Sequence, residues 1–155
     1  MPTLAEMMAA FAQPGVVRAI LLRPARRETL VAVQSAKLLS QGLEGDRSRA
    51  GKRAVTLIQE EHLPVIAALS GRGQVAPELL RRNIVVSGLN LSAFRDKQLQ
   101  LGSAIIELTV PCHPCSRMEE ALGHGGYTAM RAHGGFCAEV VKPGDLQVGD
   151  AVTPV

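Results

Sequence analysis

The lengths of its apolar runs constrain this chain more than any other feature. From residue 16 onward, aliphatic and β-branched residues come in short bursts, "VVRAILLRP", "ETLVAVQSAKL", "AVTLIQ", "NIVVSG", "KQLQLG", "AIIELTV", "FCAEVVKPG" and "LQVGDAV", each bounded by glycine, proline or a polar cluster. Segments of this make-up and spacing form strands separated by turns. Helical patterns are fewer. Thr3-Leu4-Ala5-Glu6 fits a capping box opening a helix that runs to Gln13, where Pro14-Gly15 stops it. "EEHLPVIAALSG" predicts a second helix, "APELLRR" a helical turn, and residues 116 to 122 a third helix, followed by the glycine-rich connection "GHGGYTAMRAHGG". Strands and helices do not alternate regularly. The pattern predicts a mostly β (α+β) domain, a β-barrel with a few short helices.

With 155 residues the chain has the size of one ordinary domain, and neither a repeat nor a linker divides it. It is expected to be a single domain over 1–155, with residues 1–14 as a helical extension. A composition 46% hydrophobic and 20% charged excludes disorder, and only 3% aromatic residues make the core aliphatic. Apolar runs fall short of the ~18 residues that span a bilayer. The start "MPTLAEMMAAFAQPG" lacks the basic and continuous apolar regions of a secretory signal. A soluble cytoplasmic protein with no membrane partner is expected.

Charge is unevenly placed. Residues 1 to 53 hold nine Lys/Arg against four Asp/Glu, whereas residues 54 to 155 hold eight against ten. A positive field concentrated in the first third suits either an anionic ligand or a solvated basic face. Nucleic acid is disfavoured, because the cations form no long run and aromatics for base stacking are scarce.

The stretch "ELTVPCHPCSRMEEALG", residues 107 to 123, carries the chemistry. Ser116-Arg117-Met118-Glu119 reads as a second capping box with Ser116 as N-cap, leaving Cys115 just before a helix start. The backbone N–H groups there, the helix dipole and Arg117 favour an anion, so Cys115 is a candidate thiolate. Pro114 restricts His113 to extended geometry. Two alternatives stay open. Cys112 and Cys115 have the spacing of a redox dithiol, although such motifs stand early in strand-helix-strand folds. The pair could also be half of a zinc site completed by His124, His133 or Cys137, but no second closely spaced couple is present. Three cysteines in all do not make a disulfide framework.

Taken together, "GLEGDRSRAGKRAVTLIQ", "LLRRNIVVSGLNL", "LGSAIIELTVPCHPC" and "GGFCAEVVKPGDLQVGDAV" resemble, in order, the MOSC domain, named for the C-terminal domain of molybdenum-cofactor sulfurase. The resemblance runs from about Val16 to Val155 and is to the small stand-alone bacterial members. It implies a barrel-like fold with a cleft that binds molybdenum cofactor, the phosphate-bearing molybdopterin, and one cysteine after a strand, here Cys115. In some members that cysteine ligates molybdenum in reductases of N-hydroxylated compounds. In others it is proposed to carry sulfur.

Carried over residue by residue, the resemblance places Gly45, Asp46 and Arg47 in a glycine-rich loop near the ligand, with Arg49 and Lys52 beside a cofactor phosphate. Ser48-Arg49 stand where the family often continues with histidine. Arg82 and Asn83 map onto the family's Arg-Asn pair at a strand entry, and Cys115 is both the reactive thiol and the metal ligand, a soft donor suited to molybdenum. The implied partners are the anionic pterin and either an electron-donor protein or a cysteine desulfurase. The chain is thus expected to serve a molybdenum-dependent oxidoreductase or a sulfur transferase. Cys112 and Cys137 are expected to be structural.

Overall fold

The computed structural model describes residues 1–155. In chain order the strands are β1 (Gly15–Leu22), β2 (Val31–Val33), β3 (Ser35–Leu39), β4 (Gly42–Leu43), β5 (Val55–Gln59), β6 (Ile84–Ser87), β7 (Gln98–Leu101), β8 (Ala104–Pro111), β9 (Phe136–Lys142), β10 (Gly144–Gln147) and β11 (Ala151–Pro154). The helices are α1 (Leu4–Ala9), α2 (His62–Ser70), α3 (Ser116–Leu122) and α4 (Gly126–Met130), with 3-10 turns at Pro77–Leu80 and Leu91–Phe94.

Seven strands close a barrel in the order β1-β11-β7-β8-β9-β5-β6 and back to β1. All neighbours are antiparallel except β5 and β6, which the crossover through α2 makes parallel. Closure depends on β1, which uses both edges. Val16 pairs with Ser87 of β6 and with Ala151 of β11, while farther along Ile20 pairs with Ile84 of β6 and Val33 of β2. So β11 and β2 share one edge of β1. A small second sheet, β10-β3-β4, packs against the barrel.

The alternation of side chains across the strands creates two cores. Val55, Leu57, Ile84 and Val86 point into the barrel, whose 19 buried residues include a single aromatic, Phe94. Their neighbours Ile58 and Val85 point outward, into a second core of 11 buried residues roofed by α2, α3 and α4. Both faces of β5 are therefore covered, which explains why all of its residues, Thr56 and Gln59 included, are buried. Each fully buried Leu or Ile contributes about 1.5–3 kcal/mol.

Four local expectations need correction. The first helix ends at Ala9 rather than Gln13: its Thr3 and Glu6 capping box forms, but none of its residues is buried, so nothing extends it. "ETLVAVQSAKL" breaks at Gln34 because the chain leaves the barrel there for the second sheet, and residues 23 to 30 connect β1 to β2. "LQVGDAV" also divides, β10 lying in the second sheet and β11 in the barrel. The glycine-rich stretch contains α4, held by the burial of Ala129 and Met130.

Candidate functional site

Strand ends and one long loop build a basic pocket. After β4 the chain turns at Gly45, whose φ of +88° favours glycine, and sends Asp46 inward. The Asp46 side chain has no exposure. It accepts from the backbone N–H and Nε of Arg23 at 2.7 and 3.1 Å, from Arg23 Nη2 at 2.9 Å, and from Asn83 Nδ2 at 3.1 Å. Asn83 is equally enclosed. Its Oδ1 accepts from the Thr56 N–H and hydroxyl at 3.1 and 3.2 Å, and its Nδ2 also donates to the Leu21 carbonyl at 3.1 Å. This network joins the loop to β1, β5 and β6 and leaves the next residues to face outward. Arg47, Arg49, Lys52 and Arg53, with Arg23, surround a pocket of about 520 Å³. None of those four makes an ion pair. Unneutralised cations held this close favour a multivalent oxyanion, above all one that takes bidentate Arg contacts.

Arg27, Arg81 and Arg117 line an adjoining depression of about 260 Å³ with Glu120. Burial, reinforced by repulsion from Arg117 and Arg23, pulls the Arg81 guanidinium below its ordinary value. Arg23 and Arg117 both lie close enough to Arg81 to repel it, so the two groups of cations are neighbours.

The cysteine segment lies between this basic surface and a cavity. Cys115, exposed, is itself the N-cap of α3, with φ −131° and ψ 178° and no side-chain cap bond. The expected N-cap, Ser116, is instead the first helical residue. The capping box fails because Glu119 turns the other way, its carboxylate accepting from the N–H groups of Gly125 and Tyr127 at 3.0 and 2.9 Å.

Cys112 is held far more tightly. Its N–H donates to Gly135 at 2.8 Å and its carbonyl accepts from Arg82 Nη2 at 3.4 Å. Arg82 is 7% exposed, and its other donors meet the carbonyls of Gly134 at 2.7 Å and Leu80 at 2.9 Å. Donation from the Cys137 thiol lowers the Cys112 pKa to about 6, against the upward push of burial and with help from Arg82, Arg23 and Arg53. Cys137, as the donor and buried, is pushed up.

Behind Cys112 opens a cavity of about 500 Å³ whose walls include Gln59, His62, Asn90 and His133. The His62 and His133 rings meet edge to face, centroids 5.4 Å apart. Burial and the proximity of His133 lower the pKa of His62 and favour its neutral form. No group of three or more His, Cys, Asp or Glu side chains is arranged to hold a metal ion, so the ligand set of a zinc site is not assembled.

Residues 43–153 match the model of the MOSC domain. The chain belongs to the MOSC domain family. Among solved structures, the YUAD protein from Bacillus subtilis superposes with a TM-score of 0.78 at 16% identity, covering 90% of this chain and 94% of that one. YiiM from Escherichia coli gives 0.73 at 21% identity, covering 93% and 70%, and YiiM from Geobacillus stearothermophilus 0.74 at 19%, covering 92% and 75%. These likenesses are to the fold. No curated protein sequence matches the chain.

In this MOSC domain the residues singled out from sequence divide into two groups. Arg47, Arg49 and Lys52 line the basic pocket, and Arg117 lines its neighbour. Asp46 and Asn83, next to the Gly45 turn, have their polar groups occupied within the protein, as does Arg82, whose donors go to Leu80, Cys112 and Gly134, while Cys115 lies exposed at the start of α3. Four cations escaped the sequence reading. Arg53 adjoins Lys52 and was legible as part of the same basic cluster, whereas Arg23, Arg27 and Arg81 reach the surface only because β1 and the turn before β6 end side by side. No helix is long and apolar enough to cross a membrane.

Proposed function

We propose that this MOSC domain binds the phosphate-bearing pterin of molybdenum cofactor in its basic cleft and presents Cys115 to the metal. The observation that carries the reading is the pocket of about 520 Å³ whose Arg47, Arg49, Lys52 and Arg53 lack acidic partners. A volume of this order accommodates a small ligand, and the donor set fits a phosphate monoester: guanidinium forks for its oxygens and an ammonium as a point charge. Cys115, exposed at the start of α3, offers an unencumbered soft donor. When bound, the molybdenum centre supplies two-electron chemistry suited to reducing an N-hydroxylated substrate. The chain's own part is to bind and orient: Arg49 and Lys52 neutralise the phosphate, and the Asp46–Arg23–Asn83 network fixes the loop that carries them. Electrons come from a separate donor protein, since the sequence holds no flavin, haem or iron-sulfur motif.

The deciding experiment is elemental analysis with pterin fluorescence on protein purified gently from a host that makes the cofactor. Molybdenum and pterin near one per chain are expected, with metal lost in Cys115→Ser and pterin lost in Arg49→Glu/Lys52→Glu. Wild-type protein free of both overturns the reading. A second role, sulfur carriage, is favoured by the exposure of Cys115, which leaves its thiol within reach of a desulfurase. It predicts a mass gain of one sulfur on Cys115 after incubation with a cysteine desulfurase and cysteine.

A further inference from the structure

Cys112 has no part in that function, yet its surroundings are more specialised than those of Cys115. Arg82 is a buried cation without a carboxylate partner; all its bonds go to carbonyls, those of Leu80, Cys112 and Gly134. A buried charge left alone is costly. The adjacent group able to become its counterion is the Cys112 thiol. The β8–β9 register brings a second sulfur to its side, since Pro111 stands opposite Phe136 and the Cys112 N–H bonds Gly135, which sets Cys137 two residues farther along the facing strand. Cys137 is 5% exposed, whereas Cys112 lines the cavity of about 500 Å³. One thiol can be reached from outside; the other waits behind it.

We infer that Cys112 and Cys137 form a peroxide-reactive dithiol, distinct from Cys115, with Cys112 the nucleophile and Cys137 the resolving thiol. The substrate class is a small hydroperoxide entering through the cavity. The Cys112 thiolate attacks the hydrogen-bearing oxygen; an S–O bond forms as the O–O bond breaks, and the departing alkoxide or hydroxide takes a proton from solvent. The Cys137 sulfur then attacks the sulfenic sulfur, an S–S bond forms, and the hydroxyl leaves as water with the Cys137 proton. Two electrons pass from the dithiol to the peroxide, and an external dithiol restores the pair. The groups facing the Cys112 sulfur favour its anion. Arg82 bonds the Cys112 carbonyl, and Arg23 and Arg53 add positive potential from farther away. Across the cavity stand His62, His113, Arg131 and His133, with no carboxylate among them.

The test uses Cys115→Ser protein treated with hydrogen peroxide and analysed by intact mass and peptide mapping. The expected product has lost two hydrogens per chain and contains a Cys112–Cys137 disulfide. Cys137→Ala should stop at a sulfenic acid on Cys112 that dimedone traps. Alkylation of Cys112 should titrate near pH 6. At that pH, the larger thiolate fraction, discounted for the lower nucleophilicity of a more acidic thiol, makes it react about tenfold faster than an ordinary cysteine. The inference is overturned if Cys112 and Cys137 stay reduced at peroxide levels that oxidise glutathione, or if wild-type protein forms only a Cys112–Cys115 bridge. Both outcomes are read without cofactor, so they stand apart from the fate of the proposed function.

Discussion

Asn83 shows how a polar side chain can matter to a binding cleft without entering it. Its amide meets Thr56, Leu21 and Asp46, three groups on three different segments, and has no solvent exposure. Removing it in Asn83→Ala strands the Thr56 N–H and the Leu21 carbonyl and strips one donor from a buried carboxylate. At about 1–3 kcal/mol for each buried group left unpaired, the variant should lose about 3 kcal/mol of stability, read as a lower denaturant midpoint with an unchanged slope. The sequence marked Asp46, Arg82 and Asn83 as site residues through a family resemblance, but their inward orientation was not legible, because it depends on partners far along the chain. The same holds for Cys112. Beside Cys115 in sequence it reads as a neighbour, and only the pairing of β8 with β9 brings Cys137 to its side, while Arg82 reaches it from the turn before β6.

At the scale of elements, the Gly134-Gly135 turn decides whether β9 can start where it does. Gly135 has φ +87°, and a Cβ there would lie 1.9 Å from the Leu57 carbonyl oxygen, closer than any real contact. A Cβ on Gly134 would meet the Cys112 carbonyl at 2.7 Å. Backbone cannot yield as a flexible side chain does, so Gly135→Ala should cost roughly 4 kcal/mol or more. Low soluble yield, or a melting midpoint far below wild type, is the expected reading; near-wild-type melting would refute the assignment. Gly71 provides the control, since it too has positive φ but nothing within 4 Å of its Cβ position. Element types and most boundaries were legible in the sequence, including the 116 to 122 helix and the strands in "KQLQLG" and "AIIELTV". What escaped was where strands change sheets. At Gln34 and again around Gly149 the apolar pattern continues while the pairing partner changes, and a strand's pattern records burial rather than partner.

Over the whole molecule, part of the excess of cations in the first third gathers in one place, where Arg23 at the end of β1 joins Arg47, Arg49, Lys52 and Arg53 of the loop before β5 around one pocket. Inorganic pyrophosphate should therefore raise the melting temperature at low ionic strength. At ten times its dissociation constant the stabilisation is about 1.4 kcal/mol, or about 4 °C for a domain of this size. The shift should vanish in Arg49→Glu/Lys52→Glu and shrink in high salt, where screening acts over a few ångströms. A shift of equal size in the double variant would place the anion elsewhere.

The closure of the barrel also sets an order on synthesis. Gly15 of β1 pairs with Val152 of β11, so the ladder that completes the barrel joins the first of its strands to the last. Until β11 is made, β2 covers that edge of β1 only at Ile20–Leu22 and leaves Gly15 and Val16 unpaired, and the contacts that finish the barrel are among the most distant in sequence, the kind that form slowly. During that interval β1 carries an open edge able to recruit strands from other nascent chains.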